Sequence, residues 1–214
     1  MIRFDALIFD FDGVLVDSVE VKTQAFASLY ASYGPEIVAQ VVAYHLANGG
    51  MSRHRKFRYF HETLLGVSLS PEEEARLADE FSLLVEEAVV AAPWVAGARE
   101  FLFVHQALLP LFVASGTPDE ELKRILKKRN MMPLFQGVYG SPAEKGEILR
   151  SIVTHGNFDP TRVLMIGDAW ADWEGALAAN ISFLGCIPSH NNPFPPEVPV
   201  ISDLTSLAAF IHGT

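Results

Sequence analysis

Cysteine is nearly absent. The 214 residues contain one, Cys186, so no internal disulfide can form, and its apolar setting in Ile181 to Ile187 suits a chain kept in a reducing cytoplasm. Long apolar runs are absent too. None approaches the roughly 20 residues that span a bilayer, and the first run, Ala6 to Phe9, meets Asp10 too early for a signal peptide. Positive charge is scarce: 16 Lys and Arg against 26 Asp and Glu leave a formal net charge of -10. Such a field repels nucleic acid and anionic membrane surfaces, so neither is an expected partner, and any anionic ligand needs locally concentrated cations. There is no internal repeat and no G-x-G-x-x-G turn after the first apolar run, which argues against a dinucleotide site. His61-Glu62 begins like a zinc-protease helix, but Leu65 stands where the second His belongs, so zinc chemistry is discarded.

What is present is a series of short apolar runs: Leu7 to Phe9, Leu111 to Ala114, Val163 to Ile166 and Phe183 to Ile187, with Val138-Tyr139 and Val200-Ile201 as weaker ones. Each strong run precedes a stretch of helical spacing. Continuous rather than alternating apolar character predicts parallel strands covered on both faces, hence a doubly wound α/β core. With half its residues hydrophobic, the chain can bury such a core and carry an insertion beside it. Residues 17–92 hold helical patterns and no convincing strand, which predicts an inserted helical domain between core segments 1–16 and 93–214. Inside it, Ser70 followed by Pro71 and three glutamates opens a helix toward Ala91, because Ser caps, Pro fits the first turn and acids favour the positive end. Thr117-Pro118-Asp119-Glu120 reads as a second helix start, immediately after a strand ending at Ala114. Pro188 to Pro199, with Pro193, Pro195 and Pro196 between them, reads as a surface loop.

Three places could carry chemistry. In Phe9-Asp10-Phe11-Asp12-Gly13, two carboxylates follow the first strand, where ligands bind in an open α/β sheet. Paired acids there can hold Mg²⁺, and an ionised carboxylate facing a phosphoryl group can attack phosphorus, though alone the cluster could be a polar turn. Asp168 and Asp172 follow another buried strand; if the sheet is parallel, both pairs converge on one cation, while Asp168 by itself could simply cap a helix. Ser115-Gly116-Thr117 follows the strand ending at Ala114, where a hydroxyl and backbone amides near a glycine suit phosphate oxygens. Lys145 could add a point charge for the phosphate and for the crowded carboxylates.

The order and character of Asp10-Phe11-Asp12-Gly13-Val14, Ser115-Gly116-Thr117, Lys145 and Gly167-Asp168 with Asp172 resemble the four motifs of haloacid dehalogenase (HAD) superfamily phosphatases. The resemblance implies a Rossmann-like core and a helical cap of the phosphoglycolate phosphatase and β-phosphoglucomutase branch. It implies that Asp10 forms an aspartyl phosphate, while Asp12 protonates the leaving oxygen and then activates water. It further implies that Asp10, the Asp12 carbonyl and Asp168 bind Mg²⁺, that Ser115, Gly116 and Lys145 hold phosphate, and that Asp172 supports the metal shell. Members that act on 2-haloacids lack the second carboxylate, so Asp12 favours phosphoryl chemistry. These roles require the Asp12 pKa to lie above that of metal-bound Asp10.

The expected substrate is a small phosphorylated metabolite, a sugar phosphate or phosphoglycolate-like acid. A phosphomutase is the alternative, and a catalytically silent binding module a third. The segment Arg53-His54-Arg55-Lys56-Phe57-Arg58 concentrates positive charge. Either it is a solvated basic face, or Arg53, with Lys56 one turn away, reaches the leaving group or a second anion of the substrate. A phosphonatase would place a Schiff-base lysine in the cap, but nothing in the sequence positions Lys22 or Lys56 near Asp10.

Overall fold

The computed structural model describes residues 2–188 and 192–213. Strand β1, Ala6–Phe9, is buried at every residue: Leu7 and Phe9 pack into one hydrophobic cluster, Ala6 and Ile8 into a second on the opposite face. Both faces are covered, which is why the run shows no polar alternation. The chain then passes through α1 (Val19–Leu29), α2 (Pro35–Ala47), α3 (Arg53–Tyr59) and α4 (Pro71–Ala91) with no strand among them, and α5 (Ala98–His105) leads back to the sheet. From there β2 (Leu111–Pro118), α6 (Asp119–Lys128), β3 (Gly137–Ser141), α7 (Lys145–Gly156), β4 (Val163–Gly167), α8 (Trp170–Ala179) and β5 (Ser182–Cys186) alternate, and β6 (Val200–Ile201) and α9 (Leu207–His212) close the chain.

The six strands are parallel in the order β3-β2-β1-β4-β5-β6. The direction of winding reverses between β1 and β4, and at such a switch point the connections leave to opposite sides and open a crevice beyond the strand ends. The fold is therefore the expected doubly wound α/β sheet with a helical insertion, and each of the six predicted strands is found. The Pro188 to Pro199 loop falls partly on residues 189–191, outside the described residues. Among the described residues no helix is long and apolar enough to cross a membrane.

One boundary differs. The second strand runs four residues beyond Ala114, because after a register shift Pro118 still pairs with Ser141 of β3, and α6 begins only at Asp119. Thr117 is thus a strand residue, not a helix cap.

In the insertion, α4 forms as its sequence dictates. Ser70 accepts a hydrogen bond from the Glu73 amide at 3.2 Å, Pro71 occupies the first turn, and Leu77, Phe81, Val85 and Val89 bury a stripe spaced by four. That stripe meets Phe26 of α1 and Phe57 of α3, with Phe26 and Phe81 ring centroids 4.4 Å apart. Arg129 donates to the Val89, Val90 and Ala92 carbonyls at 3.0, 2.7 and 2.7 Å, satisfying the acceptors left open where α4 ends. The two connecting segments run side by side: the Asp17 amide donates to Pro93 and the Val95 amide to Leu15.

Candidate active site

Strand β1 delivers Asp10 and β4 delivers Asp168, one on each side of the switch point. Carboxylate oxygens of Asp10, Asp168 and Asp172 lie within 4.8 Å of one another. Gly13 makes this approach possible: its φ is +79°, disfavoured for side-chain-bearing residues, and a Cβ there would collide with the Asp168 carboxylate. Lys145, the first residue of α7, buries its ammonium between Asp172 and Asp10, 2.9 Å from Asp10 Oδ1. Asp172 is committed on both oxygens, one to Lys145 and the other, Oδ2, accepting the Ala169 amide at 3.1 Å. Asp168 accepts no hydrogen bond among the described residues and lines the cavity with Asp10 and Asp12.

The electrostatics show what this arrangement lacks. Burial pushes Asp10 up to about 7, against the pull of Lys145, with repulsion from Asp172 and Asp12 adding to it. Asp168 is raised well above the usual carboxylate range by burial and by Asp10 and Asp172. Four carboxylates, counting Asp12, face two ammonium groups, Lys145 and Lys22. The remaining two negative charges suit a divalent cation, and the oxygen-only donor set suits a hard one.

Asp12 is held from three sides. Ser18 Oγ donates to its Oδ1 at 2.6 Å, Thr117 Oγ1 to its Oδ2 at 3.1 Å, and the Lys22 ammonium to the same Oδ2, while also reaching Thr117 Oγ1 at 2.7 Å. Burial alone would raise Asp12, but the Lys22 charge and these hydrogen bonds outweigh it and hold the carboxyl below its ordinary range. Without the cation Asp12 therefore lies below Asp10, whereas the order that the resemblance requires is that of Asp12 above metal-bound Asp10. Lys22, unplaced by the sequence, neutralises Asp12, whereas Asp10 needs the cation for the same effect.

Lys22 and Ser18 are site neighbours that the motif reading missed, and Thr117, read only as part of the Ser115-Gly116-Thr117 motif and a helix start, also binds Asp12; weak signals existed. Lys22 lies one helical turn from Ser18, and its amide bonds the Ser18 carbonyl at 3.2 Å. Thr117 lies two strand positions from Ser115, hence on the same face. Ser115 is buried, and its Oγ accepts the Thr117 amide at 3.1 Å. Gly116 sits beneath the loop between α2 and α3, where a Cβ would strike the Gly50 carbonyl.

Asp10, Asp12, Asp168, Lys22 and the Ser115-Gly116-Thr117 segment line one cavity of about 500 Å³, together with Arg53 and Lys56 from α3. The basic segment is not a solvated face at these two positions: Arg53 is 4% and Lys56 3% exposed. Nor is the Arg53 guanidinium open to a substrate anion. It grips Glu121 of α6 with two bonds of 2.5 and 2.9 Å, donates to Ser82 at 2.7 Å, and lies 4.5 Å over the Phe81 ring. Helix α3 starts at Arg53. His61 bonds the Phe57 carbonyl and Tyr30 hydroxyl at 3.0 and 3.2 Å, an internal role.

A curated relative, the phosphorylated carbohydrates phosphatase of Thermotoga maritima, is 25% identical over 182 residues, 83% of this chain and 82% of the relative. The phosphoglycolate phosphatase of Synechococcus elongatus is likewise 25% identical, covering 80% and 78%. Among solved structures, a β-phosphoglucomutase from Clostridium difficile shares the fold with a TM-score of 0.80 at 19% identity, over 98% of this chain and 96% of that one. Residues 4–180, which span both acidic strand ends, the serine strand and Lys145, match the model of the haloacid dehalogenase-like hydrolases, and the chain belongs to that family.

Proposed function

We propose that the protein is a magnesium-dependent phosphoric monoester hydrolase acting on a small phosphorylated metabolite, with Asp10 as the nucleophile. The observation that carries this reading is the convergence of Asp10 and Asp168 at the switch point, in a cavity shared with Asp12 and the Ser115-Gly116 segment. The substrate class is supported by the curated relatives, one named for phosphorylated carbohydrates and one for phosphoglycolate.

Magnesium would be held by Asp10, Asp168 and the Asp12 main-chain carbonyl, with Asp172 fixing Lys145 and the Ala169 amide behind them. Bound there, it would neutralise the carboxylates and draw charge from the phosphoryl oxygens. The Asp10 carboxylate attacks phosphorus, the phosphorus–oxygen bond to the leaving group breaks, and that oxygen takes a proton from Asp12. In the second step Asp12 takes a proton from water as the water attacks phosphorus, and the bond to Asp10 breaks to free phosphate. Asp12 is ionised in the free protein, the form that the second step uses, and must gain a proton on substrate binding for the first. Ser115, Gly116 and Lys145 hold the phosphoryl oxygens through a hydroxyl, an amide and an ammonium. Residues 17–92 act as a cap over a core formed by 1–16 and 93–214, excluding water during transfer.

The test is phosphate release from a panel of phosphorylated metabolites, with and without Mg²⁺, for wild type and Asp10→Asn. Mg²⁺-dependent release that Asp10→Asn abolishes is expected. No release above the Asp10→Asn background would overturn the reading, and a sugar-phosphate isomerisation assay would then examine the mutase alternative.

A further inference from the structure

Three cations of the helical insertion line the cavity: Lys22, Arg53 and Lys56. Lys22 is paired with Asp12, and Arg53 with Glu121. Among the described residues Lys56 makes no ion pair. Its Nζ lies 2.8 Å from His45 Nδ1 and 5.6 Å from the centre of the Phe26 ring, neither of which carries a counter-charge. An ammonium has only donors, so His45 Nδ1 must accept this bond. Burial, followed by the charges of Lys56 and Lys22, pushes His45 down to about 3, so the ring stays neutral. The Asp12 and Asp168 charges favour the ammonium only from beyond contact distance; an almost fully buried ammonium without an anion in contact is costly, and a ligand able to supply one is bound correspondingly well.

We infer that Lys56 is the specificity-determining cation of the cavity and binds a carboxylate carried on the leaving group of the substrate. The inference rests on the phosphatase reading and narrows it to phosphorylated hydroxy acids. A single ammonium matches one carboxylate. A second phosphate, bearing up to two charges, would need the guanidinium that Glu121 already holds. The adjoining walls are Phe26, Leu46, Met51 and Phe81. They accept the short carbon chain that would join such a carboxylate to the phosphate ester. Burial also pushes the Lys56 amine down to about 7, with Lys22 adding to the effect, and a bound carboxylate would reverse this by restoring its charge.

The experiment compares 2-phosphoglycolate with ethyl phosphate, which have leaving groups of similar length with and without a carboxylate. Binding is measured by calorimetry with Mg²⁺ on the non-turnover Asp10→Asn protein, alone and combined with Lys56→Met or Lys56→Arg. The expected preference for 2-phosphoglycolate is about tenfold or more, the scale of one charged hydrogen bond. It should collapse toward unity with Lys56→Met and persist with Lys56→Arg, each variant first shown to melt cooperatively. The ratio is read within each protein, so general damage to the site does not imitate the result. Equal binding of both esters by the Lys56-containing protein, or an undiminished preference in folded Lys56→Met, overturns the inference. Phosphate release by the wild type is scored separately: a Lys56-dependent binding preference without release would sink the hydrolase reading and leave the carboxylate site standing.

Discussion

The floor of the cavity and its helical wall carry opposite charge and are assembled in different ways. The floor is acidic and comes from strand ends: Asp10 follows β1 directly, and Asp168 follows β4. The wall is cationic, and two of its side chains reach partners far along the chain, 68 residues away for Arg53 and Glu121 and 95 for Lys22 and Thr117. On the floor, like charges crowd together and a cation is required. On the wall, two of three cations are already neutralised by core acids, so equal charges in sequence become structural, positioning and ligand-facing groups in space. Charge count alone does not assign a role; the partner does.

The sharpest test of the floor is Asp10→Asn, which removes the attacking carboxylate and should lower kcat for phosphate release by roughly 10⁴-fold or more. Activity within tenfold of wild type would mean that the floor is not where the chemistry occurs. The wall is challenged next by Glu121→Ala. Stranding the buried Arg53 should cost about 3–5 kcal/mol in urea denaturation, while Arg53→Met combined with Glu121→Leu should recover most of it. A Glu121→Ala protein as stable as wild type would show that this pair does not differ from a surface one. The charge deficit of the floor predicts that Mg²⁺ with beryllium fluoride raises the melting temperature, equivalent to about 2.7 kcal/mol at a hundredfold excess over Kd, and that EDTA removes the effect. The smallest change is expected at the rim. Glu86 of α4 pairs with Arg124 and Lys128 of α6, both at 2.9 Å and both cations largely exposed, so Glu86→Ala should cost less than about 1 kcal/mol. A loss comparable to that of Glu121→Ala would erase the distinction between buried and exposed pairs on this wall.

The acids of the floor could be read because each belongs to a local pattern, a buried strand ending in a carboxylate. Ser115 was readable for the same reason. The strand carrying it was cut short, since Ser115 to Pro118 has the composition of a turn and only pairing with Ser141 keeps it extended. Glu121 looks like an ordinary first-turn acid of α6 and is instead buried against Arg53. Lys22 carried no signal stronger than its spacing from Ser18.

The sequence by itself determined the strands, the capped α4 helix and the set of carboxylates, because hydrophobic periodicity, capping and strand-end placement depend on neighbours within a few residues. The tertiary structure alone decided which cation meets which acid, that Lys22 and its neighbours hold the Asp12 carboxyl down while burial raises Asp10, and that Lys56 is left without an ion-pair partner among the described residues. Those outcomes depend on burial and on contacts between α1, α3, α6 and β2, which no local pattern encodes.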